Sequence, residues 1–442
     1  MISRKVSTLQ NALAVLLMAA LAGPALAAHT RKRQALERSI NDPSVISARL
    51  TQKDRLDIFS EAWETINDKY YDPGFNGVNW RAVRERYRPA AEAARTDDDF
   101  YVVMKKMVGE LRDAHTRFAT PRERMEREQL KSITAGVSIS EVEGRPVIVG
   151  VEPNSEAARM KVEPGMIVLS IDGKPIAERL AEAQARVAGT STERAIKLRV
   201  YRQLVEGDPG KPLRLALERA DGSRLEVGLT RRVVSDVAQV ISRRLPSGVG
   251  YVRLTLWKSP AHKEFKRALE TLKDAPGIIV DLRGNPGGEA QEVVKIASYF
   301  FNARVSFGQF ISRGGKSFTL YTDRDDQVYS GPLVILANEG SGSGSELFSA
   351  AMQENGRAAV VGRQSCGCVL GIAHFKKLKG GSELAVSELK YVSPQGNKIE
   401  GAGVTPNRAV PLTLADLQHR RDAALEAAES TLRSSGANVR TQ

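Results

Sequence analysis

The stretch PLVILANEGSGSGSELFSAAMQEN, residues 332–355, decides the fold. Leu333 to Ala337 is an unbroken apolar run of strand length, the pattern of a strand buried on both faces of a sheet. A corner rich in Gly and Ser follows, and then ELFSAAMQEN, which reads as a helix. The same order recurs upstream. GIIVDLRGNPGG (277–288) is a strand and a glycine corner, and EAQEVVKIASYFF (289–301) is the helix after it. GVGYVRL (248–254) and AAVVG (358–362) read as further strands, with an amphipathic helix over 262–273. Residues 236–411 therefore form an α/β domain with right-handed crossovers. Its site is expected at the carboxyl ends of the strands, where both glycine corners lie.

Working outward, residues 130–233 change character. AGVSISEVEGRPVIVGVEP alternates apolar and polar residues, and two Asp-Gly pairs, 172–173 and 221–222, mark hairpin turns. This is a compact, β-rich module, and VAGTSTERAIKLRVYRQLVEGDPG (187–210) within it is long enough for an extra helix near the site. Residues 51–125 read as a helical region. Leu56, Phe59, Trp63 and Ile66 form one apolar stripe, and Phe100, Val103, Met107 and Leu111 another. Residues 412–442 read as a polar, Ala-rich helix and a frayed tail.

The chain has 442 residues, 42% of them hydrophobic and 26% charged, which fits a multidomain globular protein. At the N-terminus, Arg4 and Lys5 precede an apolar run from Ala12 to Ala22 and an A-x-A site at Ala25 to Ala27. That pattern is a secretory signal peptide over 1–27, with a flexible lead-in over 28–50. The mature protein is expected in a periplasm or outside the cell, with cleavage near Ala27 and no stable membrane insertion. The net charge of +13 is spread along the chain. No aromatic residues interleave with it to stack bases, so a nucleic-acid partner is not expected.

The glycine corners suit a phosphate or an oxyanion, because backbone N–H groups and a helix N-terminus converge there. No P-loop or dinucleotide fingerprint is present, and no cofactor or metal is expected. At 341–345 three serines, Ser341, Ser343 and Ser345, sit at the helix start. A serine in that place is presented as a nucleophile; it equally suits helix capping.

Three motifs taken together, DLRGNPGG, GSGSGSELFSAAMQENGRAAVVG and IEGAGVTPN (399–407), resemble the carboxyl-terminal-processing peptidases of serine-protease family S41. The β-rich module resembles the PDZ domain these enzymes carry, and YYD…VNW with LRDAHTRF (111–118) resembles their N-terminal region. The resemblance runs from about residue 55 to 411. It implies a crotonase/ClpP-like α/β protease domain and an exported serine endopeptidase acting on protein or peptide substrates through their C-termini. Ser343 aligns with the nucleophile, and the N–H groups of Gly287 and Gly344 with the oxyanion hole. Ala135, Gly136, Val137 and Ser138 align with the loop that takes a C-terminal carboxylate.

One departure stands out. Where the best-known branch has a catalytic lysine, this chain has Cys368, and its only other cysteine is Cys366. A thiolate base would need activation, since a thiol titrates near ~8.5. A Cys366–Cys368 disulfide is open in an oxidising compartment, and a metal site would need a third ligand, for which only His374 offers. The tricorn-like branch instead uses a His from the N-terminal region, oriented in some members by a Glu. His115 and Glu400 fit those places, giving Ser–His–Glu logic. Glu354 aligns with an acidic family position. The alternative is an inactive protein of the same fold that binds peptides or hydrophobic ligands. Oligomeric state is not readable.

Overall fold

Six strands order as 240–244, 250–254, 278–281, 333–337, 359–362 and 408–409 in the central sheet. All but the first run parallel to their neighbours. Helices Ala261–Leu272, Ala290–Ser298 and Gly344–Glu354 follow the strands 250–254, 278–281 and 333–337. The period of two sorts each strand's side chains between two cores. Ile278, Val280 and Ile335 pack with Phe265, Val293 and Phe348 of those helices. Ile279, Val334, Leu336 and Val361 face Ala424, Ala427, Ala428 and Leu432 of the helix Ala423–Val439. This is why residues 333–337 are apolar throughout. It also corrects the reading of the last thirty residues. They form two helices, Leu414–Gln418 and Ala423–Val439, broken at Arg420 with φ 55°, and the second closes the sheet's other face.

The computed structural model describes residues 49–129, 131–187, 189–324 and 328–439. The expected signal peptide lies outside the described residues, as does most of the lead-in. Residues 51–442 gather into one unit. Among the described residues no helix is long and apolar enough to cross a membrane.

Helices Gln52–Lys69, Trp80–Ala93 and Asp97–Gly109 form the N-terminal region, each started by a side-chain cap, from Thr51, Asn79 and Thr96. The buried stripe of the first is Ile58, Phe59, Ala62 and Ile66, one step round from the expected one; Leu56 and Trp63 are only half-buried. Trp63 instead stacks on Trp80, and each indole N–H donates to the other residue's carbonyl. Strand Arg117–Ala119 then pairs with 383–385 in a second sheet, which anchors the LRDAHTRF segment to the protease region.

The β-rich module is a sheet ordered 137–142, 145–151, 167–171, 212–218 and 224–230. Its entry and exit strands, Lys131–Thr134 and Arg232–Ser235, pair with each other. The expected extra helix is Glu193–Val205, capped by Thr192.

Candidate active site

Ser343 stands where strand Leu333–Ala337 turns into helix Gly344–Glu354. Its φ is 49° and its ψ −113°, a conformation costing a non-glycine residue about 1–3 kcal/mol unless its surroundings impose it. Here they do. The Ser343 N–H donates to Cys368 O at 2.8 Å and lies 3.1 Å from Glu346 Oε2. The neighbouring serines are spent on structure. Ser341 Oγ donates to Leu282 O, and Ser345 Oγ donates to Asn285 O while accepting from the Trp257 indole. Both are buried and Ser343 is half-buried. Of the three, Ser343 is the one with a hydroxyl free to react.

Two glycines close on it. The Gly344 N–H opens the helix and donates to no acceptor among the described residues, so it combines a free donor with the positive end of the helix dipole. Gly287 has φ 107°, and a Cβ there would lie 2.5 Å from Ser343 Cβ and 2.8 Å from Gly344 N. Only glycine fits. Its own N–H, aligned with the oxyanion hole, donates to Asn285 Oδ1 at 2.9 Å in this conformation. Of the two expected oxyanion donors, the Gly287 N–H is thus engaged in this conformation.

Opposite Ser343 the two cysteines are joined as a disulfide, so Cys368 carries no free thiol to act as a base or a metal ligand. The loop that holds it is organised by Glu346, which the sequence reading passed over. This fully buried carboxylate accepts from Ser365 Oγ (2.5 Å), Gly367 N (2.6 Å), Cys368 N (2.8 Å) and Ser343 N (3.1 Å). Burial pushes its carboxyl upward, and the four donors work against that. The signal was present as the capping-box spacing S-x-x-E, Ser343 to Glu346. Glu354, the other acid on this helix, binds Ser393, Gln395 and Asn397 and serves a turn. His374 sits exposed beside Glu388.

His115 is held by its backbone. Asp113 Oδ1 accepts from His115 N (2.7 Å), Thr116 N (2.6 Å) and Ser387 Oγ (2.8 Å), fixing the DAHT turn. His115 Nδ1 is buried without a hydrogen-bond partner among the described residues, and no hydrogen bond joins the ring to Ser343. Burial pushes its pKa down to about 4, with Arg117 and Arg199 adding to the depression and Asp113 opposing it. At neutral pH the ring is an uncharged acceptor.

Glu400 does not reach that ring. It accepts from Val369 N at 2.6 Å and is hydrogen-bonded to Ser191. The Ser191 hydroxyl in turn accepts from Ala114 N at 2.9 Å, the residue before His115. Burial first, then the carboxylates of Asp113 and Glu346, raise Glu400 to about 7. Ser191 thus lies between Glu400 and the backbone beside His115, and Ser343 has no part in that link. Ser191 had no readable signal, since its partners lie 77 and about 200 residues away. Its neighbours extend the clamp. Thr192 Oγ1 donates to Cys366 O (2.7 Å), Arg194 binds Ser365 O and Ala402 O, and Arg199 binds Ala114 O.

In the β-rich module, Gly136 N–H is taken by Thr134 Oγ1, and Ala135 is buried. Strand Val137–Val142 is an edge strand. Lys197 of the helix Glu193–Val205 pairs across to its Glu141 at 2.7 Å. A cavity of about 680 Å³ is lined by Arg117, Glu123, Arg127 and Arg202 among others, with neither Ser343 nor His115 in its lining.

Comparison with known proteins agrees with this layout. Residues 248–410 match peptidase family S41, and residues 51–109 match the tricorn protease C1 domain. The chain is 32% identical over 386 residues to the chloroplastic carboxyl-terminal-processing peptidase 2 of Arabidopsis thaliana, covering 82% of this chain and 70% of that protein. The photosystem II D1 C-terminal processing protease superposes with a TM-score of 0.57 at 24% identity, over 82% of this chain and 94% of that one. A structure of mature CPAF complexed with lactacystin gives 0.66 at 15% identity, over 88% and 99%. These two likenesses are of fold.

Proposed function

The chain belongs to the carboxyl-terminal-processing peptidases of family S41 and is a serine-type peptidase, and from that premise we propose that Ser343 is its nucleophile and His115 its base. The observation that carries this is the corner itself, a strained, half-buried Ser343 beside the open Gly344 N–H. Ser343 Oγ attacks the scissile carbonyl carbon and its proton passes to the neutral His115 ring. The oxyanion is received by Gly344 N–H, joined by Gly287 N–H once Asn285 releases it. His115 returns the proton to the leaving amine, and water hydrolyses the acyl-enzyme by the same route. Glu400 acts through Ser191 on the Ala114 N–H, next to His115. Contacts of this kind tighten when substrate binds.

The β-rich module is read as a PDZ domain. A substrate C-terminus adds as a strand along Val137–Val142, with the carboxylate against Ala135 to Ser138, after Lys197 and Glu141 part. The substrates are exported proteins, met after the leader is removed. A second reading, a binding protein without turnover, draws on the buried His115 Nδ1, without a hydrogen-bond partner among the described residues.

The test is labelling by a fluorophosphonate probe together with cleavage of unfolded casein. Both should be lost in Ser343→Ala and fall at least a hundredfold in His115→Ala, as expected for loss of a general base. Labelling without cleavage, or neither in the native protein, would favour the binding reading.

A further inference from the structure

Among the described residues, four of the six backbone hydrogen bonds of residues 366–368 go to the nucleophile turn or to Glu346, which holds it, and the other two go to Thr192 and Gly401. Cys366 N donates to Ser341 O (3.0 Å) and Cys368 O accepts the Ser343 N–H (2.8 Å). Gly367 N and Cys368 N are fixed on Glu346. A Cβ on Gly342 would lie 3.5 Å from Cys366 Cβ, so the loop rests directly on the turn. Gly367, at φ 75°, lets three residues close the ring. A ring this small removes little freedom from the unfolded chain. Its effect is therefore local, on the carbonyl that imposes the Ser343 backbone.

Taking Ser343 as the nucleophile, we propose that the Cys366–Cys368 disulfide is a modification site for thiol reductants, and that it holds Ser343 ready for attack only while oxidised. Cys366 is half-buried and Cys368 is 4% exposed, so an incoming thiolate reaches Sγ of Cys366. The new S–S bond forms there as the old one breaks, and Cys368 leaves as a thiolate. No other cysteine exists in the chain to resolve the mixed disulfide. A second thiol, best on the same dithiol molecule, displaces Cys366. The protein gains two electrons, the dithiol is oxidised to its disulfide, and the two protein thiolates take up protons from the dithiol or solvent. Freed of the ring, residues 366–368 relax, the Cys368 O···Ser343 N–H bond weakens, and the strained Ser343 backbone falls back.

The test uses the purified protein, oxidised or treated with dithiothreitol and then freed of it under anaerobic conditions, with free thiols counted in each state. Reduction should raise the count from none to two, slow fluorophosphonate labelling at least tenfold and leave the melting temperature within a few degrees. Reoxidation with oxidised glutathione should restore the rate. Cys366→Ser combined with Cys368→Ser should label at the slow rate under either treatment. Two thiols with an unchanged or faster rate overturn the proposal, and so does general unfolding on reduction. If neither state labels, the hydrolase reading of Ser343 falls on its own account. Amide hydrogen exchange over residues 341–347 then decides, with faster exchange on reduction supporting the proposal and unchanged exchange overturning it.

Discussion

Gly287 and Ser343 share a space that admits no further atom. An alanine at 287 would put its Cβ 2.5 Å from that of Ser343, at a φ of 107° that suits only glycine. Ser343 would move, and a displacement near 1 Å at a reacting atom costs about a hundredfold. Gly287→Ala should lower casein cleavage by about that factor while keeping a cooperative thermal transition; an unchanged kcat/KM would remove Gly287 from the site. The buried acids supply a second test. Glu400 titrates near 7 in the fold against an ordinary value of 4.5, so the native state binds its proton more tightly than the unfolded chain. That stabilisation is full below about 4.5 and is lost as pH rises through 7, about 3 kcal/mol at 1.36 kcal/mol per unit. Glu400→Gln keeps a neutral acceptor for Val369 N–H, so its melting temperature relative to the native protein should climb between pH 5 and 8. A constant difference would mean Glu400 is ionised throughout. His115, depressed to about 4, works in the opposite sense, and its contribution is lost as pH falls from 6.5 toward 4. The corner holding Ser343 was legible because a strand, a glycine-rich turn and a helix announce it locally, while the choice of Ser343 among three serines came through resemblance. Glu400 was legible only through resemblance, and its actual partner, Ser191, was not legible at all.

At the scale of elements, the helix Glu193–Val205 does more than fill the β-rich module. Thr192 caps it by accepting from Ala195 N and, with the same hydroxyl, donates to Cys366 O. Arg194 spans Ser365 O and Ala402 O, so one helix start grips the disulfide loop and the Glu400 turn together. The sequence pointed to a helix here by the length of the stretch 187–210. It could not show the grip, because the bonded residues lie 171 and 208 positions apart and no periodicity carries that information. Arg194→Ala removes two bonds from a charged donor to backbone carbonyls, the part-buried one to Ser365 O worth about 1.5–3 kcal/mol and the exposed one to Ala402 O less. With the disulfide loop loosened, fluorophosphonate labelling of Ser343 should slow about tenfold and KM for casein should move little. A rise in KM with an unchanged labelling rate would place this helix in substrate binding alone.

Across the whole molecule, the central sheet needs cover on both faces, and the chain supplies the second cover from its last residues. In the sequence this stretch reads as a polar, Ala-rich helix and a frayed tail, with no part in the core. Its Ala spacing has another meaning. Ala424, Ala427 and Ala428 are small enough to bring the helix down onto Val334, Leu336 and Val361, and Leu432 reaches Gly277, where an added Cβ would lie 3.0 Å away. Arg283 fixes the start of the helix by binding Asp422 at 2.8 and 2.9 Å while also holding Asp281 in the nucleophile-side corner. The strand bearing Ser343 is therefore apolar on its far face because of a helix nearly a hundred residues later. Leu432 is 4% exposed, and Leu432→Ala should cost about 2–5 kcal/mol by the lost burial and the cavity left behind, read as a lower urea midpoint at constant slope. A chain ended at residue 412 would bare Ile279, Val334, Leu336 and Val361 to water, an apolar patch that a single chain cannot leave open. It should aggregate or lose fluorophosphonate labelling even though every proposed catalytic residue remains. If the shortened chain instead stays monomeric and labels at the native rate, the C-terminal helix is dispensable and the sheet's second face must be stable without it.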